Sequence, residues 1–460
     1  METRKYGLLT SIAMITGIVI GSGIFFKSDN ILIEVNGNII SGVIAFIAAA
    51  VSIIFGSLTI SQLASRTDRP GGIITYAEEF CSVNAGCVFG WFQSFLYIPS
   101  IIVVVAWVSG VYTCILFGIN DTLENQMLIG TGFLLVLGIM NLLSAKLGGY
   151  FQNASMIIKL IPLIFVAVLG ILYGKESPSS FSSLQEGAGS AGFIGAIPAI
   201  AFSFDGWTVS TSICHEIKNS KRNLPIALVV SPLLILLLYI LYFVGSCFLL
   251  GTDKIIEMGD AHVYEIFNLL FGAIGAKLLL ILVIISVLGT LNGLILGSYR
   301  LPYAMSLRGM IPGYKFLSKN AEGIGGVPLN SAVFSFIVAI IWMMFHYITQ
   351  KLNMLPNSDV SEISVVTNYA TYIILYISVI RLALKGEIKG IFNGYIFPAF
   401  AVIGAVIIIF AGAGSPFFIY YSLFCLAIIA AAYMYSVKNK ERIIQSANSA
   451  HNGQAIINLK

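Results

Sequence analysis

The sequence predicts an all-α polytopic membrane protein with about twelve transmembrane helices. Apolar residues make up 58% of the 460 residues and charged residues only 10%, a composition too apolar for a soluble globule of this length. The apolar residues form successive stretches of roughly 20, the length at which an α-helix crosses about 30 Å of hydrocarbon. The short alternating strands of a membrane barrel describe such stretches less well.

Twelve spans follow one another along the chain, separated by charged or turn-rich loops. The first span follows Arg4 and Lys5 as a signal peptide would, but no small-residue cleavage pattern comes after it, so we expect it in the mature protein. The spans are predicted at about residues 7–27, 39–64, 85–117, 127–144, 151–174, 193–215, 225–251, 273–299, 328–348, 363–380, 395–412 and 416–437.

Basic residues predict which side of the membrane each loop faces. Lysine and arginine are retained on the cytoplasmic side, and most of them fall in cytoplasmic segments if the N-terminus is inside. We therefore expect an integral protein of a bacterial-type plasma membrane with both termini cytoplasmic. The net charge of +4 then belongs to loops beside an anionic lipid bilayer, and no nucleic-acid partner is predicted.

The sequence carries no pattern for catalysis or metal binding. Its six cysteines include no CxxC pair, so neither a disulfide framework nor a zinc site is indicated. A phosphate loop, a nucleophile elbow and an HExxH motif are also absent. We predict neither an ATP-driven pump nor an enzyme, and we expect no catalytic residue, no metal and no cofactor.

Two glycine-containing interruptions of membrane helices predict a binding site. One is VIGSGIF at residues 19–25, and the other is FSFDGW at residues 202–207. In hydrocarbon an unpaired backbone group costs several kcal/mol, so an unwound stretch survives only inside protein or beside a watery cavity. Interrupted helices in corresponding positions of two halves indicate a secondary transporter with a site at the bilayer midplane.

The chemistry of the two interruptions suits an α-amino acid. The half-helix that starts near Ser22 presents free amides and a positive dipole end to a carboxylate. Half-helices that end near Val19 and Phe202 present carbonyl groups to an ammonium group. The alternative is that Gly21 and Gly23 only allow close helix packing, and the presence of a second interruption favours the site.

Two of the ionisable residues within the predicted spans are good candidates for functional groups, because burial of a charge in the membrane marks a functional site by default. Lys159 lies far along the fifth span, and the alternative is that its side chain reaches the cytoplasmic interface. Asp205 lies in the second interruption. Its carboxylate either caps the following half-helix or contacts the substrate or a proton, and both interpretations stay open.

Several motifs in order resemble the amino acid-polyamine-organocation superfamily, in particular the L-type amino acid transporters and their bacterial relatives. The resemblance covers most of the chain, and the motifs are specific only together. They are IGSGIF in the first span, RPGGIITYAEEF after the second, the lysine of the fifth, FSFDGW in the sixth, EIKNSKRNLPIAL before the seventh and LNGLILGSYRLPYAMSLRGMIP at the end of the eighth.

The resemblance implies a leucine-transporter-type fold in a single transmembrane domain, residues 1–437. Residues 7–174 and 193–380 would form two five-helix inverted repeats, and residues 395–437 two extra helices. A polar cytoplasmic tail, residues 438–460, would follow. The first and sixth helices would be interrupted.

The resemblance also implies roles for particular residues. The substrate carboxylate falls on the amides of Gly21, Ser22 and Gly23, and the substrate amine falls on Val19, Phe202 and Asp205. Phe202 would also be the aromatic gate. Asp205 stands where several eukaryotic relatives have glycine, so the amine contacts there and any link to protons stay open.

Lys159 occupies the place where sodium-coupled members of the wider fold bind an ion. Its ammonium group would bridge the first and eighth helices. Ser286 and Thr290, about one helical turn apart, are its expected partners on the eighth helix.

The predicted function is secondary active transport of L-amino acids across the plasma membrane by alternating access. Sodium-independent exchange is the first choice, and proton-coupled symport is the alternative. A receptor that binds an amino acid without moving it is the competing class, for which the tail is too short to hold a signalling domain. Cys114 resembles the cysteine that links eukaryotic relatives to an ancillary glycoprotein, but a buried thiol explains it better, so no ancillary subunit is indicated.

Overall fold

The computed structural model describes residues 7–21, 23–67, 69, 71–174, 192–209, 211, 217–319, 328–355, 358–414 and 418–451. Within these ranges the chain is helical nearly throughout. The helices are α1 (Leu8–Val19), α2 (Gly23–Phe26), α3 (Ser28–Glu34), α4 (Ile39–Ala64), α5 (Ile73–Phe80), α6 (Val83–Phe117), α7 (Leu123–Leu143), α8 (Ala145–Tyr173), α9 (Gly192–Ser203), α10 (Ser220–Leu250), α11 (Thr252–Met258), α12 (His262–Leu307), α13 (Tyr314–Leu317), α14 (Leu329–Lys351), α15 (Val360–Leu384), α16 (Phe392–Gly412), α17 (Phe418–Lys438) and α18 (Lys440–His451).

The prediction of an all-α polytopic membrane protein is confirmed. In the part of the chain that the structure describes, ten helices are long and apolar enough to cross a membrane. The number rises to eleven when the bent pair of Ser11–Phe25 and Ser28–Glu34, which meet at 59°, is counted as one span. The sixth predicted span begins with the shorter apolar helix α9. The division into two inverted repeats and the orientation in the membrane stay predictions.

The two interrupted spans lie at the centre of the packing. Helix α1 packs against α8, α10 and α12, whereas α9 packs against α3, α4, α15 and α16. Their buried apolar side chains belong to one continuous hydrophobic cluster. The interruptions are therefore enclosed by protein on several sides, as unwound backbone at membrane depth requires.

Three other irregularities shape the helices around the centre. Helix α12 is broken at Gly272, whose φ of +67° is outside the helical region, and the prediction starts the eighth span at the next residue. Helices α6 and α16 each contain one π-helical segment, Gln93–Tyr97 and Phe392–Ile396. Each of these segments comes just before a proline, Pro99 or Pro398, which has no N–H to continue the helical bonding.

The structure describes Cys114 and part of the segment that was predicted as a polar tail. Cys114 is fully buried in α6, whereas Cys214 lies outside the described residues. The segment predicted as a polar tail forms the helix α18, in which Ile443 is buried. Arg442 of this helix donates to Gly309 O at 3.0 Å and anchors it to the end of α12. Residues 452–460 lie outside the described residues.

Candidate functional site

The first interruption separates α1 from α2. Helix α1 ends at Val19, and Ile20 has extended backbone (φ −69°, ψ 102°). Thr16 O still accepts from the Ile20 N–H, and the helix does not continue to supply donors for the carbonyl groups that follow. Helix α2 begins at Gly23. Ser22 lies outside the described residues, so its predicted contact with a carboxylate stays a prediction.

Lys159 of α8 binds the carbonyl groups at the end of α1. Its ammonium group is fully buried and donates to Gly17 O at 2.5 Å, to Ile20 O and to Thr290 Oγ1 at 3.3 Å. These three bonds use its three N–H donors, and its positive charge lies at the negative end of the α1 dipole. The side chain does not reach the cytoplasmic interface, which was the alternative interpretation. It joins α8 to α1 and α12.

The structure pairs Lys159 with one of its two expected partners. Thr290 Oγ1 lies 3.3 Å from the ammonium nitrogen and 3.1 Å from Ile20 O. Ser286 Oγ is buried and has no hydrogen-bond partner among the described residues. The expectation that Ser286 binds Lys159 is therefore wrong for this conformation, because all three ammonium hydrogens point to other oxygens.

The second interruption follows α9. The helix ends at Ser203, residues 204–208 form turns, and Gly206 has a φ of +89°, which favours glycine. Asp205 is buried there. Its Oδ1 accepts a hydrogen bond from Tyr97 Oη at 2.6 Å, whereas its Oδ2 has no hydrogen-bond partner in the described part of the chain. Residues 212–216 lie outside the described residues, so whether Asp205 caps a following half-helix stays open.

The two interruptions touch each other. A Cβ atom on Gly23 would lie 2.5 Å from Ser203 Cα, and a Cβ on Gly21 would collide with Thr290. The hydroxyl group of Tyr239 lies 3.2 Å from Val19 O and 2.9 Å from Ser203 O. The close packing that was the alternative role for both glycines is therefore present, and it brings the two helix ends together.

A small cavity of about 20 Å³ lies between these elements. Its walls include the apolar side chains of Ile101 and Val105 from α6. Six of the residues singled out in the sequence line it, namely Val19, Gly21, Gly23, Phe202, Asp205 and Thr290. The volume is that of about one water molecule, so an amino acid fits only when the surrounding helices move apart.

Phe202 separates this cavity from a buried ionic cluster that sequence reasoning missed. Lys27 Nζ lies 2.9 Å from Asp359 Oδ2, 2.5 Å from Glu362 Oε1 and 5.4 Å from the centre of the Phe202 ring. Lys27 is 1% exposed. The signal for a basic partner was the pair Asp359 and Glu362, which lie three positions apart just before the tenth predicted span.

A second buried ionic cluster lies at the end of α12. Arg308, at the end of α12, donates through Nε to Glu78 Oε2 at 2.9 Å and through Nη2 to Thr75 Oγ1 at 2.9 Å. All three side chains belong to motifs that carried the family resemblance, but their pairing was not predicted. Tyr97 and Tyr239 were missed as well, because neither lies in such a motif.

A membrane protein in which two interrupted helices meet at one buried cavity belongs to the class of α-helical secondary transporters. Within that class the chain belongs to the amino acid permease family, whose model matches residues 6–440. The resemblance found in the motifs is thereby confirmed.

The chain is similar to transporters from bacteria and animals. It is 30% identical to the serine/threonine exchanger SteT of Bacillus subtilis (strain 168) over 387 residues, which cover 84% of this chain and 85% of that protein. It is 24% identical to the b(0,+)-type amino acid transporter 1 of Homo sapiens over 350 residues, which cover 74% and 70%. The cystine/glutamate transporter of Pongo abelii is 23% identical over 317 residues, which cover 67% and 62%.

Proposed function

We propose that this protein exchanges L-amino acids across the plasma membrane by alternating access, without sodium. The observation that carries the proposal is the buried carboxylate of Asp205. Asp205 lines a cavity together with both helix interruptions, and its Oδ2 has no hydrogen-bond partner among the described residues. A buried acceptor without a donor is costly. The ammonium group of an amino acid is a donor that would satisfy it.

The two ends of the substrate have different partners in this proposal. The amine binds Asp205, because a carboxylate oxygen without a donor is a stronger acceptor for an ammonium group than a backbone carbonyl. Val19 O lies 3.2 Å from Tyr239 Oη, and Phe202 O accepts from the Asp205 N–H. The carboxylate binds the amides of Gly21, Ser22 and Gly23 at the start of α2. The side chain then lies against the apolar wall formed by α6.

Sodium independence rests on the position of Lys159. The carbonyl oxygens of Gly17 and Ile20 together with Thr290 Oγ1 form an oxygen cage that would suit a cation. The ammonium group already occupies this cage, and a second positive charge a few ångströms away would be repelled in a poorly screened interior.

Alternating access needs two gates, and the buried Lys27 and Arg308 clusters are the candidates. In this proposal they close opposite sides of the cavity, and each opens in turn for the substrate to pass. Both are buried ion pairs, which are costly to break one partner at a time. We propose that substrate binding offsets this cost by completing the site.

We prefer exchange to the other couplings because one of the relatives is a serine/threonine exchanger. Serine and threonine are therefore the first substrates to test. Proton symport is the second candidate, since the unpaired oxygen of Asp205 could take a proton. The ancillary subunits of eukaryotic relatives are not part of the proposal.

The deciding experiment measures uptake of labelled serine into proteoliposomes, with and without internal serine. Strong stimulation by internal serine, unchanged when potassium replaces sodium, is the expected result. Accumulation in empty vesicles driven by external acid would favour symport, and saturable binding without any flux would favour a receptor. An absolute requirement for sodium would overturn the role given to Lys159. A panel of unlabelled amino acids then defines the specificity.

A further inference from the structure

A large apolar groove lies between α14 and α17, away from the central cavity. Its volume is about 660 Å³. Its walls include Ile341, Trp342 and Phe345 from α14, Leu355 from the following connection, and Tyr420 and Phe424 from α17. We call it the α14–α17 groove. None of the described residues that line it is charged.

The groove faces outward from the bundle. Ile341 is 60% exposed and Tyr420 is 71% exposed, and both helices are long and apolar enough to cross the membrane. Apolar surface of a spanning helix that protein does not cover lies against lipid. The molecules that reach this groove first are therefore those of the bilayer.

We propose that the α14–α17 groove binds an acyl chain of a membrane phospholipid. Its volume falls within the range of about 300–1,000 Å³ typical of small-molecule sites. Tyr420 lies near the start of α17, where tyrosines of membrane proteins meet the headgroup level, so the chain end would point inward along Phe424. A second transmembrane helix fits less well, because close helix contact in membranes needs small residues and this groove is walled by large rings.

The groove is connected to the transport site through Trp342. Its indole Nε1 donates a hydrogen bond to Phe95 O at 2.7 Å. Four residues further along α6 stands Pro99, which has no N–H to pair with that carbonyl. Trp342 therefore supplies the donor that Pro99 lacks, within the π-helical segment Gln93–Tyr97.

This π-helical segment carries two side chains of the central polar network. Tyr97 Oη donates to Asp205 Oδ1 at 2.6 Å, and Gln93 Nε2 donates to Asn368 Oδ1 at 3.0 Å. A lipid chain packed on Trp342 would hold its indole against Phe95 O and thereby keep Tyr97 on Asp205. Lipid binding and substrate binding are then coupled, since both stabilise the same arrangement. The coupling rests on the proposed function, whereas the lipid site does not.

The lipid site is tested by tryptophan fluorescence on delipidated protein in detergent. Phosphatidylglycerol with brominated acyl chains is titrated, and the Trp342 signal is the difference between wild type and Trp342→Phe. We expect saturable quenching at low lipid-to-protein ratios. Ile341→Phe should weaken it several-fold because it narrows the groove, whereas Ile337→Phe, a 53% exposed residue of the same helix that does not line the groove, should not. Linear quenching that is equal in all variants overturns the site. Loss of quenching because two copies of the chain associate through this face also overturns it.

The coupling is tested by serine binding in detergent with and without phosphatidylglycerol. Lipid should lower the apparent Kd of wild type several-fold and leave that of Trp342→Phe unchanged. Trp107→Phe is the matched control, because Trp107 Nε1 bonds Gln126 and not Phe95, and it should keep the lipid effect. Equal lipid effects in wild type and Trp342→Phe would refute the coupling. Absence of serine binding and exchange in wild type would refute the proposed function and leave the fluorescence result intact.

Discussion

The two helix interruptions differ in how completely their polar groups are satisfied. At the first one, Lys159, Thr290 and Tyr239 come from three different helices and bind the carbonyl groups at the end of α1. At the second one, Tyr97 binds one oxygen of Asp205, and the other oxygen has no partner among the described residues.

This difference indicates that the two interruptions have different roles in the site. A set of satisfied, buried hydrogen bonds gives a fixed geometry, whereas an unpaired acceptor raises the energy of the site until a donor arrives. We infer that the first interruption is the rigid side of the site and that the second interruption responds to the substrate. The following predictions test this comparison, from the largest expected effect to the smallest.

Gly23→Val should nearly abolish exchange. The added side chain would enter the space of Ser203, since even a Cβ would lie 2.5 Å from its Cα, and the two interruptions could no longer touch. Serine exchange in proteoliposomes is the measurement, and the amount of folded protein is followed by size-exclusion chromatography. Gly132→Val is the control, because nothing lies within 4 Å of a Cβ at that position. Normal exchange by well-folded Gly23→Val would contradict the assignment of the cavity.

Lys159→Ala should reduce exchange by about two orders of magnitude and lower the thermal stability in detergent. It removes three hydrogen bonds. Gly17 O loses this donor, at about 1–3 kcal/mol for an unsatisfied buried group, whereas Ile20 O keeps its bond from Thr290 Oγ1. Exchange rates and melting temperatures are measured on the same preparation. A variant that keeps the wild-type stability would show that the first interruption is not held by this ammonium group.

Asp205→Asn should raise the KM for serine by about 10- to 100-fold, because a hydrogen bond to a charged group contributes about 1.5–3 kcal/mol. The shape of the side chain and its bond to Tyr97 are retained, so the melting temperature should change little. An unchanged KM would assign the amine to another acceptor. Loss of pH-driven uptake with an unchanged exchange rate would instead assign Asp205 to proton coupling.

Tyr239→Phe should slow exchange by several-fold. The change removes a single neutral hydroxyl group that lies between Val19 O and Ser203 O, and such a bond is worth about 0.5–1.5 kcal/mol. The aromatic ring keeps its edge contact with Phe204. The measurement is the rate of serine exchange at saturating concentration, and a rate equal to wild type would show that the interruptions stay together without this hydroxyl.

Ser286→Ala should have almost no effect on exchange or stability. Its hydroxyl oxygen makes no hydrogen bond within the described residues, so the change removes no partner. The variant is also the matched control for Lys159→Ala on the facing helix. A large loss of exchange in Ser286→Ala would indicate that this hydroxyl group contacts Lys159 or an ion in another conformation of the cycle.

The sequence by itself determined the fold class and the positions of the two helix interruptions. Apolar stretches of membrane-spanning length can be read locally, and glycine at an interruption leaves a motif such as IGSGIF or FSFDGW. Lys159 and Asp205 stood out because a charge within an apolar segment is rare. Even the Lys159–Thr290 contact followed from a family resemblance, although Ser286 one turn away could not be told apart from Thr290.

Only the tertiary structure decided which side chains complete the site. Three contacts join residues more than a hundred positions apart in the sequence: Tyr97 with Asp205, Tyr239 with Val19, and Lys27 with Asp359. Tyr239 also reaches Ser203, 36 positions away. Tyrosines are common in membrane helices, and nothing local distinguishes those that reach a particular carbonyl. Such contacts depend on helix rotation and crossing, which are set by packing between distant segments, and this is why the division between a satisfied and an unsatisfied interruption became visible only in three dimensions.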